Sequence, residues 1–432
     1  MSESQYDASR RKFIRTTGVV AASLPVAGYA QVAGSSELKV ALIGCGGRGS
    51  GAASQTLMND GVKLVAMADA FMDRIDGAHK TLKTKYKEKV DVPESRRFAG
   101  FDAYQKAMAE ADVVILTTPP GFRPEHFEYA VAHGKHVFME KPVATDAGGI
   151  RRVLAAAKEA DAKKLKVVCG LQRRYDATYR AVHEQVMNGK IGDVISAQVY
   201  WNGGGVWTRP RQTGQTEMEY QMRNWYYFNW LCGDHICEQH VHNIDIANWF
   251  MGDKPALAQG MGGRQVRIGP EWGEIFDHHY VEFKYGNGGY TNSQCRHQKG
   301  CMNRVTEQII GTKGRTEPGR GIITDLDGKV IFKHEVRKKD RRNPYEFEHE
   351  ELYRHIRNDI PLNNAYYTAN STMSSILGRM ATYSGKELKW DEAINSQVSI
   401  MPEKYGWDAD PGPKPGPDGL YPCPVPGVTK VV

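Results

Sequence analysis

Gly44-Cys45-Gly46-Gly47-Arg48-Gly49 spaces its glycines as a backbone must to wrap a pyrophosphate. Gly44 would permit the tight turn, Gly46 would let the main chain approach the phosphates, and Gly49 would let a following helix lie close to the preceding strand. Gly47 and Arg48 fall where the N-terminus of that helix offers N–H donors to an anion. Asp69, twenty residues after Gly49, stands where a carboxylate accepts hydrogen bonds from an adenosine ribose. Its charge would meet a 2′-phosphate, so NAD is expected over NADP, with Arg48 and Arg74 near enough in sequence to temper the preference.

Two further clusters carry proton chemistry. Thr117-Thr118-Pro119-Pro120 and Glu140-Lys141-Pro142 each end an apolar run, which puts Thr118, Pro119, Glu140 and Lys141 at the strand rim where open α/β sheets bind ligands. The Lys141 ammonium could hydrogen-bond a substrate hydroxyl and assist its deprotonation. Downstream, Asp234 to Phe250 holds His235, Glu238, His242, Asp245 and Trp249 at helical spacing. If that run is one helix, those side chains share a polar face suited to lining a cleft. An imidazole such as His242 suits proton transfer because it ordinarily titrates near neutrality. His235, Glu238 and His242, with His240 close by, could also hold zinc or manganese. No metal is expected. Arg174 and Tyr175 in Gln172-Arg173-Arg174-Tyr175-Asp176 are candidate sugar contacts, and Trp225 to Trp230 is a sugar-stacking platform, core or a subunit interface.

These residues need elements to position them. From 38 to 168 the pattern alternates strand and helix, predicting an α/β unit with a doubly wound parallel sheet. Beyond about residue 190 the runs at 194–201, 256–267, 280–285, 289–297, 303–311 and 329–334 alternate with a two-residue period. They predict a C-terminal α+β domain with a large, open, mostly antiparallel sheet, joined by a helix over 366–384. The expected division is a leader over 1–35, a dinucleotide domain over 36–168, a substrate and oligomerisation domain over 169–395, and a Pro/Gly-rich tail over 396–432. Such a tail cannot build a core and is expected to wrap a surface or a neighbouring subunit.

Taken together and in order, the glycine loop, Asp69, Thr118-Pro119-Pro120, Gly134-Lys135-His136-Val137 and Glu140-Lys141-Pro142 resemble the Gfo/Idh/MocA oxidoreductases over roughly residues 36–395. The resemblance implies a Rossmann domain plus an open-sheet domain, a nicotinamide cofactor between them, and a carbohydrate or polyol substrate. It makes His242, in its His-x-x-Asp context with Asp245, the proton-transfer residue. It also puts Glu238 where the family carries Asp, and Pro120 where many members carry Asn. Two reactions stay open: net oxidation of a sugar or glycoside hydroxyl, or hydrolysis of a glycoside through transient oxidation at C3, elimination, water addition and re-reduction.

The whole chain bounds the rest. Its 432 residues, 41% hydrophobic and 25% charged, suit a folded two-domain protein. The net charge of +7 falls to +5 once residues 1–30 are set aside, since 53 basic and 48 acidic residues remain. Only Arg337 to Arg342 forms a basic cluster, so nucleic acid is not an expected partner. Arg10-Arg11 precedes a short apolar stretch and Gly28-Tyr29-Ala30, which resembles a twin-arginine export signal and predicts an exported, extracytoplasmic protein without a membrane span. An exported enzyme leaves the nicotinamide pool behind, so a tightly bound cofactor is expected. A homodimer or homotetramer through the open sheet is the expected assembly. The seven cysteines form no C-x-x-C pair, leaving Cys232 with Cys237, or Cys295 with Cys301, as possible disulfides.

Overall fold

Apolar runs too continuous for a half-exposed strand build the first sheet. β1 (Leu38–Ile43) is buried from Val40 onward and turns through the glycines into α1 (Gly47–Leu57). β2 (Val62–Asp69), α2 (Met72–Tyr86), β3 (Arg97–Ala99) and α3 (Ala103–Ala109) follow, then β4 (Val113–Leu116), buried throughout. α4 (Arg123–Ala132), β5 (His136–Met139), α5 (Ala147–Ala162) and β6 (Val167–Cys169) complete the unit. The six strands are all parallel, in the order β3-β2-β1-β4-β5-β6. Such burial is what a parallel sheet covered by helices on both faces demands. The strand order reverses between β1 and β4, and a doubly wound sheet opens its ligand crevice at that point.

The computed structural model describes residues 37–336 and 341–432. The expected leader, Arg10-Arg11 included, and Arg337–Asp340 of the basic cluster lie outside the described residues. Residues 37–432 form one unit that carries both sheets.

After α6 (Ala177–Met187), whose first turn is capped by the Asp176 carboxylate, comes β7 (Val194–Gly203). Four helices follow, the last two carrying the polar run: α7 (Glu217–Arg223), α8 (Asn229–Cys232), α9 (His235–Glu238) and α10 (Val241–Met251). The next seven strands are β8 (Pro255–Gly263), β9 (His278–Tyr285), β10 (Tyr290–His297), β11 (Arg304–Gly311), β12 (Gly314–Glu317), β13 (Ile322–Asp325) and β14 (Val330–Lys333). α11 (Pro344–Arg357) and α12 (Ala365–Ser384) precede β15 (Leu388–Lys389) and α13 (Trp390–Ile394). The second sheet has nine strands, β14-β13-β12-β11-β7-β10-β9-β8-β15. Every pairing is antiparallel except β7 with β10. Alternate residues of β9, β10 and β11 are buried, and α10 and α12 cover that face. The predicted fold class is the observed one.

Three sequence expectations change. The run from His235 to Trp249 is not one helix: α9 ends at Glu238 and α10 starts at Val241, so the shared polar face does not exist. Second, α11 was not predicted, and it returns to the first sheet, packing on α1 and beside β6. Its buried positions include Glu348, His349 and His355, and polar residues on the inner face disguise a helical period. Third, of the two surfaces left open for the tail, it wraps the chain's own aromatic cluster. The Trp407 and Pro413 carbonyls accept from Thr216 Oγ1 and Gln221 Nε2, both at 2.7 Å, and Tyr421 meets Phe228 edge-on. All seven cysteines are free, so neither possible disulfide is formed.

Candidate active site

The glycine loop is shaped by contacts behind it and by space in front. Gly44 has φ +96°, and a Cβ there would lie 2.5 Å from the Thr118 nitrogen. A Cβ on Gly49 would lie 1.9 Å from the Gly44 carbonyl oxygen, so α1 can approach β1 only with glycine there. Thr117 Oγ1 donates to the Gly44 oxygen at 2.6 Å and braces the turn. At Gly46 and Gly47 an added Cβ would meet nothing within 4 Å. The N-terminus of α1 therefore faces open space, which is the cradle a pyrophosphate needs.

That cradle is one end of a cavity of about 710 Å³. Asp69 stands at its edge with Oδ2 accepting from the Cys45 N–H at 2.7 Å and Oδ1 from Phe71 N–H at 3.0 Å. Each oxygen keeps a lone pair for a ribose hydroxyl. Burial raises the Asp69 carboxyl above its ordinary range, and those two N–H groups work against the rise. Arg48, Arg74, Arg209 and Arg223 line the cavity as well, giving it the positive field an anionic dinucleotide requires. The residues present fit such a cofactor.

The two strand ends are locked together by a residue the sequence reading missed. Arg123, buried at the start of α4, donates Nε to the Glu140 carbonyl at 3.0 Å and Nη2 to the Thr118 carbonyl at 2.6 Å. Thr118, Pro119, Glu140 and Lys141 all line the cavity, as predicted from their position at the rim. Glu140 turns back toward the glycine loop and pairs with Arg48 Nε at 2.6 Å. Pro120 begins a tight turn at the cavity wall.

At the other end, Lys141, Glu238 and His242 converge. Lys141 Nζ donates to the Glu238 main-chain oxygen in a short contact, and to Glu238 Oε1 at 3.2 Å. His242 stacks on Trp201 with ring centroids 6.0 Å apart. Its Nδ1 is buried without a hydrogen-bond partner, which leaves Nε2 as the nitrogen a substrate can reach. Burial, then the charges of Lys141, Arg173 and Arg48, hold the imidazole well below its ordinary pKa. Its surroundings therefore favour the neutral ring, whereas residue type alone predicts titration near neutrality.

The four residues expected to bind substrate do not line this cavity. Arg174 forks onto Asp245 with Nε–Oδ2 at 2.9 Å and Nη2–Oδ1 at 2.8 Å, and lies over the Tyr367 ring. This buried pair braces α10 from behind. Tyr175 is buried with its hydroxyl on Asn364 Oδ1 at 2.5 Å. His235 is buried against Asp234, Nδ1 to Oδ1 at 2.7 Å. The break between α9 and α10 is the reason: His235 and Asp245 leave the face that carries Glu238 and His242. The metal set weighed from spacing is dispersed too, His240 being occupied with Ser293 Oγ at 2.8 Å. A different trio, Asp234, His235 and His279, brings its ligand atoms within 4.8 Å of one another. In it Asp234 is saturated by protein donors: His235 Nδ1, the Phe276 N–H, and the Tyr383 hydroxyl at 2.5 Å. It is a hydrogen-bonded node, set at an Asp with φ +69°.

Several lining residues had no signal in the sequence. Trp201 and Trp207 flank the second-sheet side, Gln239 sits in the helix break, and Tyr345 arrives from α11 to bond Gln172 at 3.0 Å and lie under Arg48. Of the aromatic run, Trp225 lines the cavity, while Tyr226, Tyr227, Phe228 and Trp230 are core.

A family model described as "Oxidoreductase family, NAD-binding Rossmann fold" matches residues 38–168, and one for the "GFO/IDH/MocA C-terminal domain" matches 179–317. The chain belongs to the Gfo/Idh/MocA oxidoreductases. An inositol 2-dehydrogenase of Rhizobium meliloti (strain 1021) is 27% identical to this Gfo/Idh/MocA protein over 218 residues, 50% of this chain and 56% of that one. The chain thus spans little more than half that relative's length. An inositol 2-dehydrogenase of Rubrobacter xylanophilus is 27% identical over 299 residues, 69% of this chain and 74% of that one. In fold, this Gfo/Idh/MocA chain is similar to scyllo-inositol dehydrogenase from Lactobacillus casei, solved with bound NAD(H) and scyllo-inositol. The TM-score is 0.62 at 20% identity, covering 82% of this chain and 99% of that one.

Proposed function

We propose that this protein oxidises a secondary hydroxyl of a sugar, glycoside or polyol, using an NAD that stays bound through turnover and is re-oxidised in place when a second, carbonyl-bearing substrate takes the hydride. The observation that carries the reading is the convergence of Lys141, Glu238 and His242 in the same cavity as the glycine cradle and Asp69. The inositol dehydrogenase relatives make cyclic polyols the first substrates to test.

Bound NAD would supply a hydride acceptor. Glu238 holds the Lys141 ammonium at the cavity wall, so Lys141 can donate a hydrogen bond to the substrate hydroxyl oxygen without first being ordered. His242 Nε2, neutral before substrate arrives, takes the hydroxyl proton as the carbon gives up its hydride, and the carbonyl product leaves. Trp201 supports the ring, and Trp207 and Trp225 offer apolar faces to a sugar or polyol ring.

Export by the twin-arginine route, implied by Arg10-Arg11, and assembly through the open sheet belong to the same proposal. The second is supported by Ile195, Met261, Tyr280, Tyr290 and Val305, large apolar side chains exposed on strands of the second sheet. Among the described residues no helix is long and apolar enough to cross a membrane.

Mass spectrometry of native protein should find NAD in the purified chain. Its near-ultraviolet absorbance should respond to one member of a polyol and sugar panel with no cofactor added. An apoprotein that turns over steadily only with added NAD would refute the resident cofactor. Release of aglycone from a chromogenic glycoside, lost in Lys141→Ala, would make the net reaction hydrolysis instead.

A further inference from the structure

Two walls of the dinucleotide cavity, built by distant segments, touch each other at its Asp69 end. Phe71 and Arg74 reach the cavity from the start of α2, and Met222 and Arg223 from the end of α7. Phe71, two residues beyond Asp69, donates its N–H to that carboxylate. Its ring therefore walls the end of the cavity at which Asp69 would take an adenosine ribose. The Arg223 guanidinium lies over this ring, 3.9 Å from its centroid. The same guanidinium pairs with Asp73, on the first turn of α2, at 3.3 Å, and with Glu219 of its own helix at 2.9 Å. Glu219 orients the cation, and Asp73 fastens it to the opposite wall, 150 residues away in the chain.

The C-terminal tail holds the same ring. Trp407 meets Phe71 with centroids 5.1 Å apart, and meets Phe101, just after β3, at 4.7 Å. Its carbonyl is bonded to Thr216, the N-cap of α7, which ties the tail to the helix that carries Arg223. A partly exposed ion pair or cation–π contact is worth little alone. Here they act together on one ring, and separating the two walls breaks them all.

We infer that Arg223 and Trp407 are positioning residues for the cofactor: they hold Phe71 against the adenosine end of the cavity, so that NAD leaves there only when α7 and the tail release it. This rests on the resident NAD proposed above and gives it a physical cause. Contacts of this kind act on the rate of release, where most differences in affinity reside.

Holoprotein loaded with NAD radiolabelled in the adenine, then chased with excess unlabelled NAD, tests this. The unmodified chain should keep its label through gel filtration. Arg223→Gln and Trp407→Leu should each release it at least about tenfold faster, with circular dichroism showing that they are folded. Adenine-labelled ADP-ribose, which lacks the nicotinamide, should be released faster by the same factor, because the contacts act at the adenosine end. Should Trp407→Leu fail to fold, Asp73→Asn, on the exposed side of the ion pair, must still speed release. Loss of label from the unmodified chain within seconds overturns both the resident cofactor and this inference. Slow release that persists in the folded variants, or faster release of NAD with ADP-ribose unchanged, overturns this inference alone and leaves the resident cofactor standing.

Discussion

Arg48 Nε donates to Glu140 Oε1 at 2.6 Å, tying the glycine loop to the end of the strand that carries Lys141. Arg48 Nη2 is also committed, to Gln55 at 2.7 Å. A guanidinium held in this way is poorly placed to neutralise a 2′-phosphate beside Asp69, which leaves Arg74, whose charge reaches Asp69, as the residue that could.

Asp69→Ser should therefore weaken NAD binding by about tenfold or more, the usual loss for a charge-assisted hydrogen bond, and should narrow the gap between NAD and NADP. Asp69→Asn keeps one of the two acceptors that the Cys45 and Phe71 N–H groups use, so it removes the charge with less loss of loop support than Asp69→Ser. Fluorescence titration of stripped protein with both cofactors reads the outcome.

Gly46 and Gly49 should fail differently when changed to Ala. The Gly46→Ala methyl enters open space, so the protein should melt as the unmodified chain does and lose dinucleotide affinity. The Gly49→Ala methyl meets the Gly44 oxygen, so α1 must shift, at a cost of about 1–3 kcal/mol typical of overpacking. Thermal unfolding paired with cofactor content of the purified variants distinguishes the two.

Lys141→Ala and His242→Ala should each lower kcat by about 10²- to 10⁴-fold. Because the His242 pKa lies well below its ordinary value in the free protein, the neutral base persists as pH falls through about 6.5. The profile of kcat/KM should show no acid limb there. A limb near 6.5 that disappears in His242→Ala would contradict the burial described above.

Acid should unfold the protein through its buried histidines. Burial lowers His126 and His240 to about 3 in the folded chain, against about 6.5 when unfolded. Folded values below unfolded ones mean that the unfolded state takes up protons first. Their contribution is therefore complete above pH 6.5 and is lost as pH falls from there toward 3. One such group costs about 2 kcal/mol between pH 6.5 and 5. Urea unfolding at three pH values, with His240→Asn flattening the slope, checks the sign and size.

The cofactor end of the site was legible because it is local. Gly44 to Gly49, Asp69, Thr118 and Glu140 act from loops whose position follows from strand ends, and strand ends show as apolar runs that stop. Of the residues expected at the substrate end, only Lys141, Glu238 and His242 line the cavity. Arg174, Tyr175, His235 and Asp245 looked alike in sequence, polar residues at helical spacing, yet they support the site from behind. Nothing local announces that α9 and α10 part company at Gln239 and His240, or that Arg174 and Asp245 satisfy each other across 71 residues.

The sequence by itself determined the two-sheet architecture, the dinucleotide cradle and the lysine at its rim, since strand period, glycine spacing and the end of an apolar run are properties of neighbouring residues. The tertiary structure decided which polar side chains face the cavity and which are buried in pairs. It brought Trp201, Tyr345 and Arg123 to the cavity, and it buried His242 where the neutral ring is favoured. Those outcomes depend on burial and on charges that come together only when distant segments pack, and no spacing along the chain encodes them.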